Sequence, residues 1–168
     1  MDELMIRRIL SRLTKEIIAD NPDPSSLVFV GIKANGEYLA RRFSEHFRSL
    51  NNKSIPWCGF DASYYLDNDL DIGLSSYQIS INIQNKNVIL VNDVLRTGRT
   101  SCIVVDKLLT NKQPKSVRLA VLVDCGLREV PIRADYIGKS LPIKSGQSVT
   151  VRLKEYDNEE GVFIYTHK

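Results

Sequence analysis

The residues with the types and spacing to do chemistry are Asn92, Asp93, Thr97, Gly98, Arg99 and Thr100. They lie in one run, Val88-Ile-Leu-Val-Asn-Asp-Val-Leu-Arg-Thr-Gly-Arg-Thr100. An apolar strand, Val88 to Val91, passes through the polar pair into a glycine turn. The apolar residues 101–109 then read as a helix. A tight turn at a helix N-terminus leaves backbone N–H groups without partners and sets the positive end of the helix dipole beside them. Such a corner binds phosphate. The hydroxyls of Thr97 and Thr100 add donors. An acidic side chain just before the turn meets the neutral, hydroxyl-bearing part of the same ligand. The combination suits a sugar phosphate better than a bare phosphate.

Other elements must hold that corner in place. Leu27-Val-Phe-Val-Gly-Ile32 is a continuous apolar run, which predicts a strand buried on both faces. Lys33-Ala-Asn-Gly36 follows as a turn, and Leu39, Phe43, Phe47 and Leu50 mark a helix. That turn stands at the carboxyl end of its strand, where open α/β sheets bind ligands and where backbone N–H groups can surround an anion. A plain helix start is the alternative for Gly36. Val117 to Val123 predicts another core strand, ending at Asp124-Cys125-Gly126. Strand, helix and strand again imply a parallel sheet with right-handed crossovers.

Met5, Ile6, Ile9, Leu10, Leu13 and Ile17 give residues 3–19 one apolar helical face, closed by Asn21-Pro-Asp-Pro24. Arg7, Arg8, Arg12 and Lys15 lie off that face, as a solvated flank or as a contact for nucleic acid. Trp57 to Leu66 alternates, which predicts a strand with two different faces. Residues 67–83 lose periodicity and read as a long loop or hairpin. Val149–Leu153 and Val162–Thr166 predict two short late strands, at a sheet edge or paired with each other. No repeat, low-complexity tract or linker divides the chain, so residues 1–168 are read as one domain.

Composition removes other classes. The chain has 168 residues, 43% hydrophobic and 26% charged, with a net charge of +3. A pI of about 8.7 permits an anionic partner without requiring one. Three cysteines, Cys58, Cys102 and Cys125, are widely spaced and lack a CxxC, which fits reduced thiols in the cytoplasm and no zinc site. No apolar stretch is long enough to span a membrane, and the start of the chain has no apolar signal core. His46 and His167 cannot make an HExxH site, and there is no GxSxG elbow. Gly138-Lys139-Ser140 is not a P-loop, because Arg133 stands where that motif needs glycine. There is no GxGxxG either.

The run from Val88 to Thr100 resembles the phosphoribosyl-pyrophosphate (PRPP) motif of type I phosphoribosyltransferases. The stretch from Leu119 to Lys139 is similar to one branch of them, the pyrimidine-operon attenuation regulators that are also uracil phosphoribosyltransferases. So are Ile6-Arg-Arg, Glu16-Ile-Ile, Val30-Gly-Ile-Lys33 and Val162-Phe-Ile-Tyr165. The resemblance covers nearly the whole chain and is weakest over residues 50–85. It implies the type I phosphoribosyltransferase fold, an α/β architecture with a mainly parallel central sheet, flanking helices and a small hood. It implies transfer from PRPP to uracil, giving UMP and pyrophosphate with Mg²⁺, and UMP-dependent binding to pyrimidine-operon leader RNA. It also implies a homodimer or higher homo-oligomer in the cytoplasm. No metal ligand of the protein's own is expected.

By the same resemblance, Thr97, Gly98, Arg99 and Thr100 hold the 5′-phosphate, and Asn92 and Asp93 meet the ribose hydroxyls. Gly31 to Gly36, with Lys33, Ala34, Asn35 and Gly36 at its tip, is the pyrophosphate loop. Asp61 to Ile79 spans a flexible covering loop. Asp124, Cys125 and Gly126 lie near the base. Arg12, Arg128, Arg133 and Lys139 fall where the family's RNA-facing basic residues lie.

The chain also departs from the family pattern. Asn92 stands in place of the first acid, Asn35 in place of a basic residue, and Leu66 in place of arginine. Leu127 replaces histidine, Cys125 replaces arginine and Arg96 replaces tyrosine, while residues 66–86 are fewer than usual. The phosphate corner is intact, whereas groups that handle pyrophosphate and the transition state are thinned. Three functions are therefore carried forward: a uracil phosphoribosyltransferase that also regulates, a nucleotide-sensing RNA-binding regulator with weak or no catalysis, and a salvage enzyme for another base.

Overall fold

A computed structural model describes residues 1–63 and 79–167. Helix α1 spans Glu3–Asp20 and is capped by Asp2, whose carboxylate accepts from the Met5 N–H. Its three- and four-residue apolar spacing buries Ile6, Ile9, Leu10, Leu13 and Ile17. Strand β1 (Leu27–Ile32) is buried throughout, as a continuous apolar run requires. Helix α2 (Asn35–Asn51), strand β2 (Trp57–Phe60), strand β3 (Asn87–Leu95), helix α3 (Arg99–Lys112), strand β4 (Ser116–Asp124) and strand β5 (Tyr136–Ser140) follow.

These five strands make one sheet in the order β2-β1-β3-β4-β5, every described pairing parallel. Alternate residues on each strand feed two apolar layers. Phe29, Ile89, Val91, Ala120 and Leu122 pack with α1 and α2 on one face, where Phe29 and Phe43 stack with ring centroids 5.8 Å apart. Val28, Val30, Leu90, Leu119 and Val121 pack with Val104 and Leu108 of α3 on the other. No helix among the described residues is long and apolar enough to cross a membrane.

Strand β6 (Gln147–Arg152), the short helix α4 (Lys154–Asp157) and strand β7 (Gly161–Thr166) form the hood. The two hood strands pair antiparallel in a sheet of their own. Val151 and Val162 sink into the α1–α2 layer of the core. Arg42 of α2 fastens the hood by donating to both Glu155 oxygens (2.8 and 2.6 Å) and both Glu160 oxygens (2.7 and 2.8 Å).

Three expectations need correction. The alternation from Trp57 ends as a strand at Phe60; Asp61 instead accepts from the Ser63 N–H (3.1 Å) and hydroxyl (2.6 Å), a local turn that competes with the ladder. Leu66 and most of the Asp61–Ile79 loop lie outside the described residues. The strand before the glycine turn does not stop at Val91 but stays paired with β4 through Leu95. Strand β5 was not anticipated at all, because Tyr-Ile-Gly-Lys-Ser has neither an apolar run nor a clean alternation.

Candidate active site

In a parallel sheet ordered 2-1-3-4-5, the chain crosses in opposite directions on either side of the β1–β3 pair, leaving a crevice at their carboxyl ends. Two glycines bring backbone into that crevice. A Cβ on Gly31 would lie 2.2 Å from the Gly36 carbonyl oxygen, and one on Gly36 would lie 2.4 Å from that of Val91. Only bare backbone lets the start of α2 rest directly on the ends of β1 and β3. Lys33 donates its N–H to the Phe60 carbonyl (2.9 Å), and the Lys33–Ala34 peptide is cis. Helix α2 then starts without a side-chain cap, which leaves its first N–H groups available to an anion. Lys33 and Ala34 are exposed.

Asn92 and Asp93 stand on the last paired stretch of β3. The Asn92 amide is folded onto its own strand, accepting from the Asp93 N–H (3.0 Å) and donating to the Val94 carbonyl (3.0 Å). Asp93 accepts from the Val94 N–H (2.7 Å) through one oxygen and from the Asn35 side-chain nitrogen (3.0 Å) through the other. That same nitrogen donates to the Val151 carbonyl on hood strand β6 (2.9 Å). One side chain therefore touches the end of β3 and the hood.

The turn from Thr97 to Thr100 leads from the end of β3 into α3. Gly98 sits at φ +87°, a conformation that side chains resist, and precedes α3 with no side-chain cap. A Cβ there would also meet Ile132 Cγ2 at 2.4 Å and Val130 Cγ2 at 3.0 Å. The segment after β4 thus packs under the turn, and Glu129 donates its N–H to the Thr97 carbonyl (2.9 Å). The Arg99 guanidinium pairs with Glu129 (2.6 Å), and the Arg99 backbone N–H reaches the Thr97 hydroxyl only at 3.4 Å. Sequence reading missed Glu129, Val130 and Ile132, whose only signal was a short polar–apolar alternation.

At the end of β4, Asp124 accepts from the Gly126 N–H (2.9 Å) and from Arg128 (2.6 Å). Gly126 is exposed with φ +74°, and a Cβ added there would meet nothing within 4 Å. Cys125 is 1% exposed and packs in the core, and burial pushes its thiol pKa up, so its side chain does not present itself to a ligand.

The four basic residues have different tasks. Arg128 points inward, donating to the carbonyls of Ile132 (3.0 Å), Leu95 (3.2 Å) and Arg96 (2.9 Å) as well as to Asp124. Arg12 binds Glu16 (2.6 Å) and ties α1 to β5 through the Ile137 (3.1 Å) and Gly138 (2.7 Å) carbonyls. Arg133 and Lys139 are exposed. Among the described residues, no cluster of three or more His, Cys, Asp or Glu side chains is placed to hold a metal ion.

A strand-end crevice, an uncapped helix start beside an acid, and a buttressed glycine turn agree with what the chain resembles. The family model for the phosphoribosyl transferase domain matches residues 3–155. Relatives named bifunctional protein PyrR, from Streptococcus pneumoniae strains CGSP14 and TIGR4, are 39% identical over 164 residues, which is 98% of this chain and 94% of theirs. Among solved structures, the hypoxanthine phosphoribosyltransferase of Trypanosoma cruzi superposes with a TM-score of 0.77 at 17% identity, covering 100% of this chain and 95% of that one. A hypoxanthine-guanine phosphoribosyltransferase of Bacillus anthracis gives 0.67 at 23% identity, covering 84% and 79%. At those identities the two structures establish the fold. The chain belongs to the phosphoribosyltransferase domain family and, within it, to the PyrR proteins.

Proposed function

We propose that this protein transfers phosphoribose from PRPP to uracil, releasing pyrophosphate, and that it regulates pyrimidine genes by binding leader RNA when UMP fills the same pocket. The observation that carries the reading is the glycine turn at Gly98, set beside Asp93 at the sheet switch point in a chain 39% identical to bifunctional PyrR proteins. In this scheme the uncapped start of α3, with Thr97 and Thr100, holds the 5′-phosphate. Asp93 faces the ribose hydroxyls. The backbone of Lys33 to Gly36 receives pyrophosphate at the uncapped start of α2. The base lies between the 124–126 turn and the hood.

The reaction passes through a cationic, oxocarbenium-like state at C1′ as pyrophosphate leaves. It asks for no protein nucleophile, only for alignment of the two reactants, binding of the leaving anion and exclusion of water. The negative charge of Asp93 favours the developing cation. Mg²⁺ bound with PRPP would supply positive charge to offset that of the leaving pyrophosphate. Asp93 is the carboxylate beside the proposed ribose that could reach such an ion, whose other oxygens would come from substrate and water. Of the four basic residues, the exposed Arg133 and Lys139 are the ones this reading assigns to RNA phosphates, since Arg128 and Arg12 are engaged by carboxylates and carbonyls of the fold.

One observation favours a second reading, a UMP-sensing regulator with slow chemistry. Asn92 brings no charge, and its amide is spent on its own backbone. The deciding experiment mixes protein, uracil, PRPP and Mg²⁺ and follows UMP. Turnover comparable to that of the S. pneumoniae relatives supports the first reading. Turnover roughly one to three powers of ten lower, with UMP still bound, supports the second. A protein that neither makes nor binds UMP refutes both. RNA binding is tested by affinity for a structured pyrimidine-leader RNA across salt, with and without UMP; affinity blind to both nucleotide and sequence refutes the regulatory half.

A further inference from the structure

Asn35 lies in the proposed pyrophosphate loop, yet its side chain has nothing left to give an anion. Its nitrogen donates to Asp93 (3.0 Å) and to the Val151 carbonyl (2.9 Å). Its oxygen, Oδ1, is buried and meets no donor. A primary amide has two N–H donors, and both are in use. Turning the amide over would place Oδ1 against a carboxylate and a carbonyl, two repulsive contacts, so the observed orientation is fixed by its partners. A pyrophosphate in the loop would find no N–H of this side chain left to receive it. Leaving a buried acceptor unmet is costly, in the same range as what one hydrogen bond to a charged group returns. The arrangement persists because the two donations hold something worth holding.

What they hold is the alignment of two parts of the site. Asp93 belongs to the central sheet and Val151 to the hood, and Arg42, about two turns further along α2, fastens that hood through Glu155 and Glu160. We propose that Asn35 is a positioning residue: it fixes the Asp93 carboxylate and ties it to hood strand β6, so that ribose recognition and hood placement depend on one amide. The proposal rests on the reading of this crevice as a ribose-5-phosphate pocket. It replaces the role in anion binding that position in the loop would suggest for this side chain, and leaves the loop backbone to do that work.

The two roles separate by ligand. UMP has a ribose and a 5′-phosphate but no pyrophosphate, so a pyrophosphate contact cannot affect it. Calorimetric titration of the full chain with UMP and, separately, with inorganic pyrophosphate reads both. Asn35→Ala is expected to weaken UMP about tenfold and to change pyrophosphate affinity less than about twofold. In an Asp93→Asn background, where the charged partner is gone, the same substitution is expected to have little further effect on UMP. Without ligand, amide exchange over β6 is expected to quicken in Asn35→Ala. Asn35→Leu, close in shape, uncharged and without donors, is expected to repeat the UMP loss and guards against an alanine variant that fails to fold.

Unchanged UMP affinity with weakened pyrophosphate binding overturns the proposal and leaves the pocket assignment standing. Unchanged β6 exchange overturns the tie to the hood. If the unsubstituted protein binds no UMP while Asn35→Ala still quickens β6 exchange, the pocket reading fails and the tie survives.

Discussion

Removing Arg42 tests whether the hood is held by a buried charge network or by contacts that water could replace. Arg42 makes four hydrogen bonds of 2.6–2.8 Å to Glu155 and Glu160. The Glu160 side chain is only 2% exposed, and Arg42 itself is 15% exposed. Arg42→Met leaves Glu155 with its Arg41 contact (3.3 Å) but strips Glu160 of the charge that balances it. Breaking a buried pair by removing one partner costs about 3–5 kcal/mol, and the residual exposure places this case near the low end, about 3 kcal/mol. For a domain of this size that is a fall in Tm of roughly 6–12 °C.

The assay is urea and thermal unfolding of Arg42→Met, Glu160→Met and the double variant. Deleting both charges is expected to return stability to within about 1 kcal/mol of the parent, a marked departure from additivity. Acid adds a check. Burial is the largest single influence on the Glu155 carboxylate and raises its pKa, but the Arg42 hydrogen bond, a backbone hydrogen bond and the charges of Arg42 and Arg41 together bring it below the ordinary 4.5. A depressed carboxylate stabilises the fold above the unfolded value and loses that contribution as pH falls through the folded one. The parent should therefore weaken below about pH 4.5, by linkage, more steeply than Arg42→Met. A loss under about 1 kcal/mol, typical of an exposed pair, or a double variant no better than the single, would refute the reasoning.

Three further outcomes follow from the site. Gly98→Ala meets both the positive φ and the Ile132 methyl group at 2.4 Å; it should cost about 1–3 kcal/mol in unfolding experiments and weaken UMP and phosphate binding more than tenfold. Asn92→Asp removes the donor to the Val94 carbonyl and sets two carboxylates side by side; it should lower stability by about 1–2 kcal/mol, and kcat for UMP formation should rise if the missing charge limits the chemistry. Arg128→Ala removes donors to three carbonyls and one carboxylate and should destabilise by about 2–4 kcal/mol, whereas Arg133→Ala should change stability by less than about 0.5 kcal/mol while lowering RNA affinity and the slope of its salt dependence. Unfolding curves alongside RNA titrations separate the two arginines.

What could be read from the chain was what obeys a local rule. The apolar runs of β1 and β4, the helical spacing of α1 and the glycine turn at Gly98 each state their conformation within a few residues. Other features depend on partners far along the sequence. Arg128 looks like a surface cation until the Leu95 and Arg96 carbonyls are beside it. Tyr136 to Ser140 becomes a strand because β4 offers a free edge and Arg12 comes over from α1 to its carbonyls. Cys125 follows Asp124 directly but turns into the core while Asp124 serves the turn. The Asn35 side chain is the furthest such case, since both of its acceptors, Asp93 and Val151, lie in later elements. The family resemblance could name its place in the loop but not the direction its amide faces.

The switch-point crevice gathers pieces from Gly31 to Val151, and this has a consequence for how the protein comes into being. Parallel strands joined through intervening helices bring together residues distant in sequence, so no early fragment of the chain contains a pocket. The hood strand that supplies the Val151 carbonyl comes last among those pieces, after all five strands of the main sheet. A nucleotide in this crevice therefore binds the finished fold and nothing before it. At a hundred times its Kd, such a ligand adds about 2.7 kcal/mol to the folded state. If UMP fills this crevice as proposed, it would favour finished chains over partly folded ones.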